Sequence, residues 1–276
     1  MHDAVCIRTF NTKCGIYLQM TVNYTDLFKV MTIVSFWDDL NSLAAWSNQW
    51  LMKFNEDKCV VLKIRASLNY IYTLNETQLK EVDEQRDHGV IVNNRLTPSS
   101  HIQNITSKAS QRLFMIKRCF TGLTKAKLST LYTSIIRPVL EYVLIIWNIW
   151  LWKDIPELDS VQRKCEKLCT EKISFEPMSK RRHRFDLVET CKFVNNKYKT
   201  DPQSLFSLPY RTLRGHKDKI FKPSARTDIQ KQFFSHRVVD SWNLLSSMII
   251  EADTVDSFRR RLMRVVPSGE DDLSTK

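Results

Sequence analysis

Lysine and arginine residues supply the clearest chemistry that this sequence could perform. The 276 residues carry 42 Lys and Arg against 30 Asp and Glu, and most of the excess is local. Residues 161–223 hold 16 Lys/Arg and 7 Asp/Glu, and residues 103–127 hold six Lys/Arg and no acid. Because each neutralised phosphate releases condensed counterions, two such patches favour binding of polyanions. A solvated basic face without a ligand is the competing interpretation.

Cysteine and histidine spacing raises the question of a metal site. Cys165 and Cys169 are four residues apart and could bind zinc together with His183. Both cysteines, however, fall on the apolar stripe of a predicted helix, so we predict buried thiols and no metal site. The seven cysteines form no compact framework and no secretory signal precedes them, which predicts an intracellular location, cytoplasm or nucleus.

Other catalytic chemistries find no support in the sequence. It contains only five glycines and neither a GxGxxG nor a GxxxxGK[ST] pattern, and the GxSxG and HExxH patterns are also missing. The apolar run from Val139 to Trp152 is interrupted by Glu141 and is shorter than the ~20 residues of a membrane helix. We therefore predict a buried helix there and no membrane partner.

Hydrophobic periodicity predicts an α+β fold in which a small sheet precedes a mainly helical region. The pattern indicates a helix that starts at Asp38–Asp39, where acids favour a helix N-terminus, and continues to Trp50. Residues 59–64 read as a buried strand, residues 70–79 as a hairpin and residues 88–92 as a further strand. We expect these strands to form one small antiparallel sheet.

From Thr97 onward the spacing of apolar residues becomes helical. One apolar face of the first helix consists of Ile102, Ile105, Ala109, Leu113 and Ile116. A second helix follows around residues 128–135 and is kinked or restarted at Arg137–Pro138. A third spans residues 154–169, and a fourth follows the basic cluster at residues 180–184. Near the C-terminus we predict an amphipathic helix at residues 233–243, Trp242 and Phe258 as core anchors and a helix cap at Thr254.

Seven phrases of the sequence, in this order, carry a resemblance to a known family. They are WSNQWLMKFNEDKCVVLKI, TLNETQLKEVDEQRDHGVIVNN, LYTSIIRPVLEYV, LDSVQRKCEKL, RFDLVETCKFVN, LRGHKDKIFKP and FFSHRVVDSWNLL. Together, from about Asp38 to Leu245, they resemble the reverse transcriptases of non-LTR retrotransposons, the jockey-like and related elements. The first phrase is similar to the segment that follows the catalytic strand of the palm in that family.

The resemblance implies a division of the chain. Residues 1–37 match nothing except a motif relic at 24–27, and residues 38–96 would be the end of the palm, with its small antiparallel sheet. Residues 97–152 would be thumb-like helices, residues 153–266 a basic C-terminal helical region, and residues 267–276 a disordered tail.

The same resemblance places the catalytic carboxylates of the family just upstream of the tryptophan pair. Tyr24-Thr25-Asp26-Leu27 has the aromatic residue and the first acid of the F/Y-x-D-D signature, but leucine stands where the second acid belongs. Asp38 and Asp39 supply two acids only seven residues before Trp46, where a helix start explains them better. Two-metal catalysis needs a further carboxylate, and apart from Asp26 only Asp3 precedes Asp38.

The sequence thus predicts a C-terminal fragment of a reverse transcriptase, an RNA-directed DNA polymerase, that binds RNA, DNA or an RNA/DNA hybrid and does not polymerise alone. The intact family enzyme uses Mg²⁺; we expect no cofactor in this chain, and a partner in trans would supply the other half of the polymerase. The expected contacts are Lys108, Arg112, Lys117, Arg118, Arg163, Lys164, Lys167, Lys180, Arg181, Arg182 and Arg184. Two alternatives stay open: an active shortened polymerase that uses Asp26 or the pair Asp38 and Asp39, and a helical interaction module or decayed element without function.

Overall fold

A computed structural model of the protein describes residues 4–8, 19–20, 33–52, 54–64, 71–198, 205–207, 216 and 218–265. The chain divides into an N-terminal unit, residues 1–101, and a C-terminal unit, residues 102–276. Small sheets lie in the first and helices dominate the second, so the predicted α+β class is confirmed. The predicted motif relic at 24–27 and the tail at 267–276 lie outside the described residues.

The described part of the N-terminal unit combines short strands with one long helix. Its elements are β1 (Ala4–Arg8), β2 (Gln19–Met20), α1 (Ile33–Gln49), β3 (Val60–Ile64), β4 (Thr73–Leu74), β5 (Thr77–Gln78), β6 (Lys80–Glu81), β7 (Glu84–Asp87) and β8 (Val90–Asn93). A first sheet has the strand order β2-β1-β3-β6, while β4 and β5 form one hairpin and β7 and β8 another. The predicted strand at residues 59–64 is confirmed as β3.

The arrangement of these strands differs from the single antiparallel sheet that we expected. Strand β1 runs antiparallel to β3, from the pair Ala4 and Ile64 to the pair Arg8 and Val60, and β6 runs parallel to β3 on its other side. The backbone hydrogen bonds of β3 are therefore taken by β1 and β6, and the hairpins pair only internally. Residues 1–22, which match no family phrase, supply the long partner of β3.

Helix α1 covers the apolar side of the N-terminal unit. The core of this unit consists of Leu40, Phe54, Cys59, Val61, Tyr72, Leu74 and Leu79, with Leu43, Ala44 and Trp46 packed against it. The ring of Trp46 lies 6.3 Å from that of Phe54, whereas Trp50 is 61% exposed. The predicted helix start was wrong, because α1 begins at Ile33 and Asp38 is therefore already an interior residue of the helix.

The described part of the C-terminal unit is helical. Its elements are α2 (Ser99–Cys119, which begins in the N-terminal unit), α3 (Lys125–Leu131), a π-helical turn (Tyr132–Ile136), α4 (Arg137–Leu140), α5 (Ile155–Glu166), α6 (Met178–Val194), α7 (Asp228–Lys231), α8 (Phe234–Arg237), α9 (Val239–Asn243), α10 (Ser247–Ile250) and α11 (Val255–Val265). No described helix is both long and apolar enough to cross a membrane.

Most predicted apolar faces are buried as expected. The residues of the α2 face, Ile102, Ile105, Ala109, Leu113 and Ile116, are at most 7% exposed. Trp242 and Phe258 are buried with ring centroids 5.9 Å apart, and the Thr254 hydroxyl accepts a hydrogen bond from the backbone N–H of Ser257 at 3.1 Å. The core anchors and the helix cap near the C-terminus are thus confirmed.

Two helix predictions require correction. The predicted helix within residues 139–152 ends at Leu140, and turns follow in which Val143 has a φ of 50°. A β-branched residue in the left-handed region cannot continue a right-handed helix, so the chain turns away there. The predicted helix at residues 233–243 is divided at Val238 into α8 and α9.

Candidate nucleic-acid interface

The solvent side of α5 carries three predicted contact residues together. Arg163, Lys164 and Lys167 are all exposed. The opposite, buried side of the helix consists of Leu158, Val161, Gln162 and Cys165. Because successive residues of an α-helix are rotated by about 100°, burial of this apolar side turns the three cations outward. Within the described part of the chain, no carboxylate forms an ion pair with them, so their charges are available to a ligand.

The C-terminal end of α2 presents two further exposed cations, Lys117 and Arg118. The Arg118 guanidinium lies 5.9 Å from the ring centroid of Phe114, one turn earlier. The two predicted contacts nearer the start of this helix are less free. Lys108 is half-buried, and Arg112 donates a hydrogen bond from Nη1 to the carbonyl of Ile135 at 2.9 Å. Arg112 therefore stabilises the packing of α2 on the π-helical turn.

The segments that follow α2 and α5 are in contact. The Cys169 thiol, which follows α5, donates a hydrogen bond to the carbonyl of Leu123, which follows α2, at 3.3 Å. Two exposed lysines that we did not predict as contacts, Lys125 and Lys127, begin α3 just beyond this point. We call Lys117, Arg118, Lys125, Lys127, Arg163, Lys164 and Lys167 the basic surface.

The sequence between Asp87 and Glu141 contains no acidic residue. Lys125 and Lys127 lie within this stretch and therefore have no carboxylate close to them in sequence. Side chains in such a stretch can find a carboxylate only from a distant part of the chain. The charge pattern of the sequence could therefore have predicted Lys125 and Lys127 as candidate contact residues. A second unpredicted group of exposed arginines lies on α11, at Arg259, Arg260 and Arg264.

The densest charge cluster of the sequence, residues 180–184, is partly neutralised by carboxylates of the same chain. Arg181 forms two hydrogen bonds with the Glu141 carboxylate, from Nε at 2.6 Å and from Nη2 at 2.9 Å. Arg184 forms an ion pair with Glu176, which also lies 3.7 Å from Arg181. Because the Glu141 carboxylate accepts its hydrogen bond, the pKa of Arg181 is raised. These two arginines are committed to carboxylates of their own chain.

Arg182 is the most enclosed member of the same cluster. Burial lowers the pKa of its guanidinium, and Nη1 has no hydrogen-bond partner among the described residues. Lys180 is half-buried at the start of α6. The structure therefore places the predicted contacts at 180–184 within the first turns of α6 rather than on an open basic patch.

Three of the family phrases meet in the core of the C-terminal unit. Arg237 forms an ion pair with Asp186 through two hydrogen bonds of 2.8 and 2.9 Å, which connects the phrase at 233–245 to the phrase at 184–195. The indole Nε1 of Trp242 donates to the carbonyl of Asp218 at 2.7 Å, within the phrase at 213–223. Asn243 also bonds both the N–H and the carbonyl of Ile220, at 3.0 and 2.8 Å.

The candidate catalytic acids do not form a metal site in the described residues. Asp38 is exposed on α1, and Asp39 is the next residue of the same helix. Asp26 lies outside the described residues. No group of three or more His, Cys, Asp or Glu suited to a metal ion occurs in the described part of the chain.

The cysteines considered as zinc ligands have other surroundings. Burial raises the pKa of the Cys165 thiol to about 12, so the thiol keeps its proton at neutral pH. The Cys169 thiol is bonded to Leu123, and His183 lies on the exposed side of α6. Since zinc binds the thiolate, Cys165 is poorly suited to hold it.

A comparison with known proteins supports a distant relationship to transposon reverse transcriptases. Over 140 residues, the chain is 24% identical to the probable RNA-directed DNA polymerase from transposon BS of Drosophila melanogaster. The similar region covers 48% of this chain and 15% of that protein. No family model matches the chain. No solved structure matches it either.

Proposed function

We propose that the chain derives from a non-LTR retrotransposon reverse transcriptase and that its C-terminal unit binds nucleic acid through the basic surface. The observation that carries this proposal is the outward face of α5, where Arg163, Lys164 and Lys167 are exposed and form no ion pair with any described residue. The adjacent end of α2 extends the same positive charge. Surfaces of this kind bind phosphates and release their counterions.

The family resemblance gives these elements their proposed counterparts. The N-terminal unit would correspond to the end of the palm, and the segment from Asn75 to Val92 to the part that lies near the primer strand. Helices α2 to α4 would correspond to the thumb, which lies against the template and primer duplex. Phosphate contacts position a duplex without specifying its sequence, so we expect RNA, DNA and hybrids to bind with little sequence preference.

The chain alone is proposed not to polymerise. Two-metal catalysis needs a set of carboxylates that clamp the attacking and leaving oxygens, and the described residues contain no group of three or more His, Cys, Asp or Glu suited to a metal ion. The catalytic carboxylates and their Mg²⁺ would then come from a separate polypeptide.

A salt series tests the binding proposal. The purified chain is titrated onto a 20-base-pair RNA/DNA hybrid between 50 and 300 mM salt, and log K is plotted against log salt. With seven cations in the basic surface, of which about half contact phosphates at once, we expect a slope on the order of −3. A slope near zero, or no binding at the lowest salt, would contradict the proposal.

Two matched variants locate the interface. Lys164→Glu combined with Lys167→Glu should weaken binding by at least about tenfold at 100 mM salt and lower the slope by about 2. Lys222→Glu combined with Lys231→Glu changes the net charge equally, at two exposed lysines outside the basic surface that are paired with Asp240 and Asp228. Equal losses in both double variants would indicate attraction by net charge alone.

Primer extension tests the shortened-polymerase alternative on the same samples. That alternative predicts Mg²⁺-dependent extension that Asp26→Ala or Asp39→Ala abolishes. We expect no incorporation above a no-protein control. The interaction-module alternative instead predicts binding that is undetectable at moderate salt and insensitive to charge reversal of Lys108 and Arg112.

A further inference from the structure

The aromatic ring of Phe114 lies on the solvent side of α2, where it does not contribute to the buried core. Phe114 is 61% exposed, and it lies on the side of the helix opposite the buried residues Ile105, Ala109 and Ile116. Exposure of so large an apolar side chain forfeits the stabilisation that its burial would give. A ligand that covers the ring would recover it.

The charged residues of α2 nearest to Phe114 are positive. The Arg118 guanidinium lies 5.9 Å from the centre of its ring, and Lys117 is one residue before Arg118. Helix α2 contains no Asp or Glu along its whole length. A neutral or basic apolar partner therefore fits this position less well than a polyanion that carries flat apolar groups.

The loop after α2 continues the same combination of features. Phe120 is 47% exposed directly after the helix, and Lys125 and Lys127 are exposed a few residues later. Between them, Gly122 has a φ of 63°, and no atom lies within 4 Å of the position where its Cβ would be. The chain here is open to solvent and uncrowded.

From these observations, and on the basis of the proposed function, we infer that Phe114 is a stacking platform for an unpaired base of single-stranded nucleic acid. An unpaired base offers a free face that stacks on an aromatic ring, while the phosphates on either side contact Arg118 and Lys117. In a duplex both faces of each base are already stacked, so a duplex gains only the phosphate contacts.

The inference is tested by comparing a single strand with a duplex. The probes are a dT20 oligonucleotide that contains one 2-aminopurine and a 20-base-pair DNA duplex, both at 100 mM salt. Phe114→Leu should weaken binding of the single strand by about 5- to 100-fold and leave duplex binding within twofold. It should also remove the fluorescence quenching that stacking of the 2-aminopurine produces.

Two further variants provide rescue and control. Phe114→Trp keeps an aromatic face and should restore both affinity and quenching. Phe221→Leu removes a phenylalanine of matched exposure, 59%, elsewhere in the C-terminal unit and should change neither.

The outcomes separate this inference from the proposed function. Salt-dependent duplex binding together with unchanged dT20 binding by Phe114→Leu overturns the inference alone. Equal losses for both probes also overturn it, since they show that Phe114 does not distinguish unpaired bases. No binding of either probe by the unsubstituted protein at low salt overturns the proposed function itself.

Discussion

The ion pair between Arg237 and Asp186 is expected to be the largest single polar contribution to the stability of the C-terminal unit. The guanidinium donates two hydrogen bonds to the carboxylate and one each to the carbonyls of Gln232 and Leu144, both at 3.0 Å. It also lies 5.5 Å from the centre of the Phe234 ring. One side chain thus joins α6, α8 and the turn region after α4.

Substitution of Arg237 by glutamine removes the positive charge and most of these donors. The side chains of Arg237 and Asp186 are only 10% and 13% exposed. Without the guanidinium, the Asp186 carboxylate would therefore be buried with neither its ion-pair partner nor enough water to solvate it. Removal of one partner of a buried ion pair costs about 3–5 kcal/mol. The glutamine amide can still donate to one carbonyl, which is worth about 1 kcal/mol. We therefore expect a loss of roughly 3 kcal/mol in the free energy of unfolding.

Urea unfolding followed by circular dichroism measures this loss, and a double-mutant cycle with Asp186→Asn should give a coupling of about 2 kcal/mol. The control is Lys222→Gln, which breaks an exposed ion pair with Asp240 and should cost less than about 0.5 kcal/mol. A loss of 1 kcal/mol or less for Arg237→Gln, at an unchanged dependence on urea, would refute the reasoning.

Three further predictions use the same unfolding assay. Arg181→Ala should cost about 2–3 kcal/mol because it leaves the half-buried Glu141 carboxylate without its two hydrogen bonds; a neutral effect would contradict the structural role of this arginine. Val143→Gly should stabilise the protein by about 1 kcal/mol, since glycine adopts a φ of 50° without strain; destabilisation would contradict this. Stability should fall as the pH rises from about 9 to 12. Burial raises the folded-state pKa of both the Cys165 thiol and the Tyr132 phenol to about 12, so the unfolded chain loses these protons first. Cys165→Val should make stability less dependent on pH in this range, and an unchanged dependence would contradict the role of Cys165.

Features that depend on local periodicity could be predicted from the sequence. The buried face of α2, the strand β3 and the Thr254 cap all follow from residues within one or two turns of each other. One face of a helix repeats every three or four residues. The positions that will be buried can therefore be recognised in the sequence without knowledge of the tertiary structure. The exposed face of α5 follows in the same way, because it is the complement of the buried one.

Features that depend on distant partners could not be predicted. Strand β1 pairs with β3 across more than 50 residues of sequence, and neither strand encodes the other. The same applies to Arg181, whose partner Glu141 lies 40 residues away. A run of arginines and lysines shows how much charge is present but does not show which charges a carboxylate of the same chain neutralises.

The phrases that resemble the retrotransposon family serve two different purposes in this fold. The phrases at 184–195, 213–223 and 233–245 are joined by Asp186, Trp242 and Asn243 in buried contacts, so packing alone is sufficient reason for their residues. The phrase at 158–168 instead turns its cations to solvent, where packing requires nothing of them. Packing therefore accounts for the first group of residues, whereas it does not account for Arg163, Lys164 and Lys167. Substitutions in the two groups should have opposite signatures, with lost stability in the first and lost affinity at unchanged stability in the second.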